Sequence, residues 1–180
     1  MKRRFLVPVL SLAILHAPLS IAQSEREIEY RFKAVYILNF FQFVEWPDSS
    51  FENDRSPIVL AVLGDDPFGK ILDETVQSEK VGSHPIIVKR FHVLNELGSC
   101  HAIFISSSEK GSVQTILKHV DDRPILTISD IDDFGDRGGD IGFYLENNKI
   151  RFAINMQALK QSDLKVSSKL LRLAKVINPS

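Results

Sequence analysis

Apolar positions follow three rhythms along this chain. After Ser24-Glu25-Arg26-Glu27, which reads as a capping box, Ile28, Phe32, Val35 and Tyr36 recur at helical spacing. The segment Ile37-Leu38-Asn39-Phe40-Phe41-Gln42-Phe43-Val44 is then apolar almost all round until Trp46-Pro47 stops it. The pattern predicts a helix starting at Ser24 that must be covered on more than one side, by a sheet or by a docked partner. From Pro57 onward short apolar runs alternate with helical patterns. Strands are predicted at Ile58 to Leu63, Ile86 to Val88, Ala102 to Ile105 and Ile125 to Ile128. Helices fall near Phe68 to Ser78 and on the stripe Val113, Ile116, Leu117 and Val120. After Gly139 the period becomes two: Ile141 to Glu146 and Lys149 to Asn155 flank Asn147-Asn148, a pair suited to the positive φ angles of a tight hairpin, and this hairpin is expected to form an antiparallel edge. Ser167 to Ile177 reads as a closing amphipathic helix. Together these elements predict an α/β fold, a mostly parallel twisted sheet flanked by helices with a C-terminal β-hairpin and helix.

The first residues change that picture. Lys2, Arg3 and Arg4 precede an apolar run from Phe5 to Leu15, and Ser20-Ile21-Ala22 supplies small residues before Gln23, the pattern of a secretory signal peptide cut after Ala22. The run is too short to span a membrane. What remains, residues 23–180, is expected to be one domain, since no linker, repeat or low-complexity tract divides it. The 180 residues are 44% hydrophobic and 25% charged with a net charge of −1, and loss of the basic start makes the exported part more acidic. Nucleic acid is thereby a poor partner. Export permits disulfides, but Cys100 stands alone, so no internal bridge is available. As a lone cysteine opening the apolar run Ala102 to Ile105, it reads as a buried residue rather than a nucleophile.

Candidate chemistry is sparse. The loops at the carboxyl ends of the predicted strands bring Asp65-Asp66, Ser106-Ser107-Ser108 and Asp130-Ile131-Asp132-Asp133 toward the usual ligand crevice of an open sheet. Asp130 to Asp136 resembles the start of a calcium loop but fails at Phe134, where an oxygen ligand is needed, and at Asp136, where the turn glycine belongs. No Gly-x-Ser-x-Gly, His-Glu-x-x-His or phosphate-cradling glycine loop occurs. No enzyme activity, cofactor or metal site is therefore expected. Two binding readings remain. In one, the aromatic segment with Phe40, Phe41, Phe43 and Trp46 anchors a protein partner, and Arg151, Asn155, Lys169 and Arg172 orient it through their charge and hydrogen bonding. In the other, a crevice formed by Asp65, Ser106 and Asp130 holds a small molecule.

The ordered segments also carry a resemblance. Glu29 to Phe40 with Phe43-Val44-Glu45-Trp46-Pro47, then Val62 to Gly69, Cys100 to Ser106, Gly138-Gly139, Ile150 to Asn155 and Ser167 to Ala174, are similar in content and order to the YfiR-like family of periplasmic proteins. The resemblance implies a periplasmic, non-catalytic regulator. It implies as partner a membrane-bound diguanylate cyclase or another sensor protein, bound through its periplasmic domain and repressed, so that cyclic di-GMP falls. It further implies sequestration by an OmpA-like outer-membrane lipoprotein, and a homodimer. Relatives often pair the cysteine equivalent to Cys100 with one in the first strand, where this chain carries Ala61, so that bridge has no counterpart here.

Overall fold

The computed structural model describes residues 17–177, with side chains from residue 23 onward. The expected signal peptide, residues 1–22, thus falls outside the residues whose side chains are described. Helix α1 (Ala17–Phe43) leads into a short strand β1 (Val44–Glu45). The chain continues through β2 (Ile58–Leu63), α2 (Lys70–Val76), β3 (Lys80–Val81), β4 (His84–Phe91) and β5 (Ala102–Ile105). Next come α3 (Val113–Val120), β6 (Leu126–Ser129) and the hairpin β7 (Ile141–Glu146) and β8 (Lys149–Asn155). The last elements are α4 (Met156–Gln161), β9 (Lys165–Val166), α5 (Ser168–Leu171) and β10 (Lys175–Ile177).

Eight strands form one sheet in the order β10-β8-β7-β6-β5-β2-β4-β3. From β4 across to β7 every neighbouring pair is parallel, and β8 turns back antiparallel on β7. The α/β class and the mostly parallel sheet are as the alternating pattern predicts. All six side chains of β2 are buried because both faces are covered, which is why this strand is apolar without interruption. Ile58, Leu60 and Val62 join the core under α1, while Ala61 and Leu63 join the second core with Ile103, Ile105, Val113 and Ile116 of β5 and α3. Asn147 and Asn148 have φ of 51° and 57°, and Glu146 pairs with Lys149 across them, so the hairpin turn is of the type their short polar side chains tolerate.

Four expectations are corrected. The helix begins before Ser24, which lies inside α1 and caps nothing. The hairpin is no edge, because β10 adds to β8 in parallel, with Val176 opposite Ile154. The closing amphipathic helix is a single turn, Ser168–Leu171, followed by that strand. The open backbone edge of β8 supplies hydrogen-bond partners along its length, and Val176 and Ile177 suit a strand better than a helix end. The helix α1 also stops at Phe43 rather than at Trp46, since Val44 pairs with Val166 and Ser167 N–H donates to the Phe43 carbonyl at 2.9 Å. That two-stranded ladder fastens the end of α1 to the C-terminal segment.

Candidate partner-binding site

The expected aromatic anchor is not a surface. Phe40 and Phe41 are completely buried, and Trp46 is buried with its indole N–H donating to the His101 carbonyl at 2.9 Å. Phe40 meets Phe152 edge-on at 4.9 Å between ring centres and stacks on Phe143 at 5.7 Å. Phe43 is half-buried against the same core. These residues hold α1 on the sheet, since a helix apolar on nearly all sides is enclosed by the fold that carries it.

Asn155 is likewise structural. It is buried, its Oδ1 accepts from Gln157 and Ala158 N–H at 2.9 and 3.0 Å, and its Nδ2 donates to the Gly135 carbonyl at 2.8 Å. It is the N-cap of α4. Lys169 and Arg172 are exposed on and just after α5, away from the groove described below. Arg151 is exposed on β8 and lines that groove.

The small-molecule crevice does not form from its three expected residues. The order of β4, β2 and β5 puts the switch point of the sheet at Gly64 and Ser106, but Ser108 fills it: its Oγ accepts from Asp65 N–H at 3.0 Å. A Cβ at Gly64, whose φ is +89°, would meet that Oγ at 2.3 Å, so the space is already taken by protein. Asp65 is exposed and Ser106 is buried, where it caps the turn after β5. Asp130 turns the other way, under α1.

There it builds a polar cluster of high local charge. The Lys33 ammonium, almost wholly buried, lies 2.6 Å from Asp130 Oδ2 and 2.5 Å from Glu29 Oε1. It also sits 4.4 Å from the centre of the Tyr30 ring, a cation–π contact. The Tyr30 hydroxyl donates to the same Asp130 Oδ2 at 2.8 Å. Burial, and then the charge and hydrogen bond of Asp130, push the tyrosine hydroxyl well above its ordinary range, so it stays protonated as a donor. Asp130 Oδ1 is buried without a hydrogen-bond partner.

Outside this cluster the same helix carries an apolar stripe. Ile28, Phe32 and Val35 are 53%, 58% and 46% exposed, and Leu145 on β7 is 63% exposed. Between helix and hairpin runs a groove of about 610 Å³ with Ile28, Phe32 and Tyr36 on one wall and Leu145, Ile150 and Arg151 on the other. A smaller hollow of about 310 Å³ adjoins it, sharing Glu29, Leu145 and Ile150 and reaching Lys33, Asp130 and Asp132. The spacing of Ile28, Phe32 and Val35 was visible in the sequence. What it did not reveal is which of two apolar stripes on one helix faces the sheet.

Other groups with chemical potential are structural. His101 accepts from Val59 N–H at Nδ1 and lies 3.0 Å from the Ser50 carbonyl through Nε2, so the neutral ring carries its proton on Nε2; burial lowers its pKa below the usual histidine value. The Cys100 thiol is pushed up to about 11 by burial and is no nucleophile at neutral pH. Among the described residues no cluster of three or more His, Cys, Asp or Glu side chains is placed to hold a metal ion, and no helix is long and apolar enough to cross a membrane.

No curated protein matches the chain. The family model for YfiR/HmsC-like proteins, however, matches residues 30–175, which take in α1 from Tyr30 and every strand from β1 to β9, the hairpin included. The Lys33–Asp130 pair lies inside that match, as do the groove residues from Phe32 onward, and the chain belongs to the YfiR/HmsC-like family.

Proposed function

We propose that this protein is a periplasmic regulator that binds the periplasmic part of a membrane signalling protein, restrains a diguanylate cyclase and so lowers cyclic di-GMP. The family is regulatory and non-catalytic. Residues 23–180 act as one exported domain, and residues 1–22 direct export. An OmpA-like lipoprotein relieves the restraint by competing for the regulator.

The observation that carries the reading is the groove between α1 and the β7–β8 hairpin. Ile28, Phe32 and Leu145 expose large apolar surface in it, and Lys149 and Arg151 rim it with charge. Contiguous apolar surface with a charged rim is the composition of a protein interface, where a few aromatic and arginine residues supply most of the energy. Burying Phe32 or Leu145 under a partner gains about 1.5–3 kcal/mol each. The small-molecule alternative has less support, because Ser108 fills the switch-point crevice.

Cellular cyclic di-GMP tests the reading in four strains: one lacking the gene, one carrying it intact, one without residues 1–22, and one with Phe32→Asp and Leu145→Asp. The level rises on deletion and returns only with the intact gene, although the double variant melts like the wild type. An unchanged level on deletion, or full repression by the double variant, overturns it.

A further inference from the structure

Resting on the reading of the groove as the partner surface, we propose that the hollow at its inner end takes a lysine or arginine side chain that the partner segment carries beside its apolar residues. The charges lining the hollow do not balance: Glu29, Asp130 and Asp132 face it with Lys33 as the one cation among its lining residues. Lys110 reaches Asp132 at 3.3 Å, but both are largely exposed and the pair is screened by solvent. Lys33 is already shared between Glu29 and Asp130.

The second observation is the state of Asp130. Its side chain is 8% exposed, Oδ2 takes both the Tyr30 hydroxyl and the Lys33 ammonium, and Oδ1 is buried with no donor. That oxygen is closed to a direct donor, but its uncompensated negative charge belongs to a lining residue of the hollow and favours a cation seated there, whose N–H groups meet the more exposed carboxylates of Glu29 and Asp132. The walls then define the rest of the guest. Leu145 and Ile150 border both hollow and groove, so the alkyl stem of a lysine or arginine lies on apolar surface while its head enters the acidic end. At the hairpin end, Lys149 and Arg151, the latter only loosely paired with exposed Glu146 at 3.8 Å, repel a second cation and favour a carboxylate. The occupant is therefore a partner segment that runs from a basic residue through apolar residues toward an acidic one.

The test uses the full chain against a displayed library of short random peptides, selected once on the wild type and once on a Glu29→Gln/Asp132→Asn variant whose melting curve matches it. Wild-type selections are expected to carry arginine or lysine next to leucine, isoleucine or phenylalanine. Their affinity falls about tenfold on the Glu29→Gln/Asp132→Asn variant and with added salt, whereas peptides selected on that variant lose the basic preference. Phe32→Ala weakens every selected peptide, charged or not. Peptides that depend on Phe32 but show no basic enrichment overturn the cation pocket and leave the groove standing as a partner surface. Peptides indifferent to Phe32 overturn both. Sedimentation of the wild type as a dimer that Leu145→Asp separates assigns the groove to a second copy and overturns the proposal.

Discussion

Over residues 28–43 of α1, the second half (36–43) has Ile37, Phe40 and Phe41 wholly buried, while in the first half (28–35) Ile28, Phe32 and Val35 stand about half exposed and the buried positions go to Tyr30, Lys33 and Ala34. Neighbours Phe32 and Lys33 are inverted relative to an ordinary amphipathic helix, the aromatic out and the ammonium in. The second half lies over Phe143 and Phe152, an aromatic floor that rewards apolar contact. The first half lies beside Asp130, whose carboxylate selects the face bearing Lys33 and Tyr30 and turns the stripe of Ile28, Phe32 and Val35 away. Apolar density in a sequence thus marks surface that must be covered somewhere. The charge beneath decides whether the fold covers it or leaves it for a partner.

The difference has a hierarchy of tests. Phe40→Ala strikes the covered half and should cost about 3–5 kcal/mol in urea unfolding, the range for a large aromatic removed from a packed core. A loss below about 1 kcal/mol, the level of ordinary surface changes, would show that the second half is not core. Lys33→Ala strikes the inverted half by leaving Asp130 buried beside Glu29 without its cation, and should cost about 3 kcal/mol. The same variant made together with Asp130→Asn should recover part of that loss, and failure to recover it breaks the claim that this charge pair orients the helix.

A buried carboxylate with no cation sharpens the contrast. Asp140 accepts from Thr127 N–H and Oγ1–H at 2.8 and 2.7 Å, and burial, opposed by those bonds, raises its pKa from 3.8 to about 6. The folded protein therefore holds this proton more tightly than the unfolded chain. Its contribution to stability is greatest below pH 3.8 and declines as pH rises to about 6, a change of about 3 kcal/mol. Asp140→Asn should flatten the melting-temperature profile across that window, and an unchanged slope refutes the assignment. The smallest effect belongs to the open stripe: Phe32→Ala should move stability by less than about 0.5 kcal/mol, a surface value, while weakening partner binding. A loss comparable to that of Phe40→Ala would erase the distinction between the two halves.

Much of the sheet was legible because its strands are short apolar runs bounded by polar turns, and β2, β5, β7 and β8 fall where those runs do. The hairpin was legible from Asn147-Asn148, since few residues tolerate two successive positive φ angles. The C-terminal strand was not, because Leu170, Leu173, Ala174 and Ile177 keep helical spacing and only the free edge of β8 makes an extended Val176 worthwhile. Asn155 read as a recognition residue because its pattern did not announce α4, whose N-cap it is, and because its amide also reaches Gly135, twenty residues away. Of the positions expected to bind a partner, Arg151 alone lines the groove, and the three residues proposed for a ligand crevice are separated by Ser108 and by the turn of Asp130 toward α1.

By itself the sequence determined the α/β class, the order of most elements, the family resemblance and the lack of a recognisable catalytic motif, all of which rest on local pattern and spacing. The tertiary structure decided which side of α1 faces inward. That choice turns on Lys33 meeting Asp130, 97 residues further along the chain, and on Phe143 and Phe152 arriving beneath Phe40. Periodicity reports that a face is apolar, but burial is a property of what the rest of the chain brings opposite it.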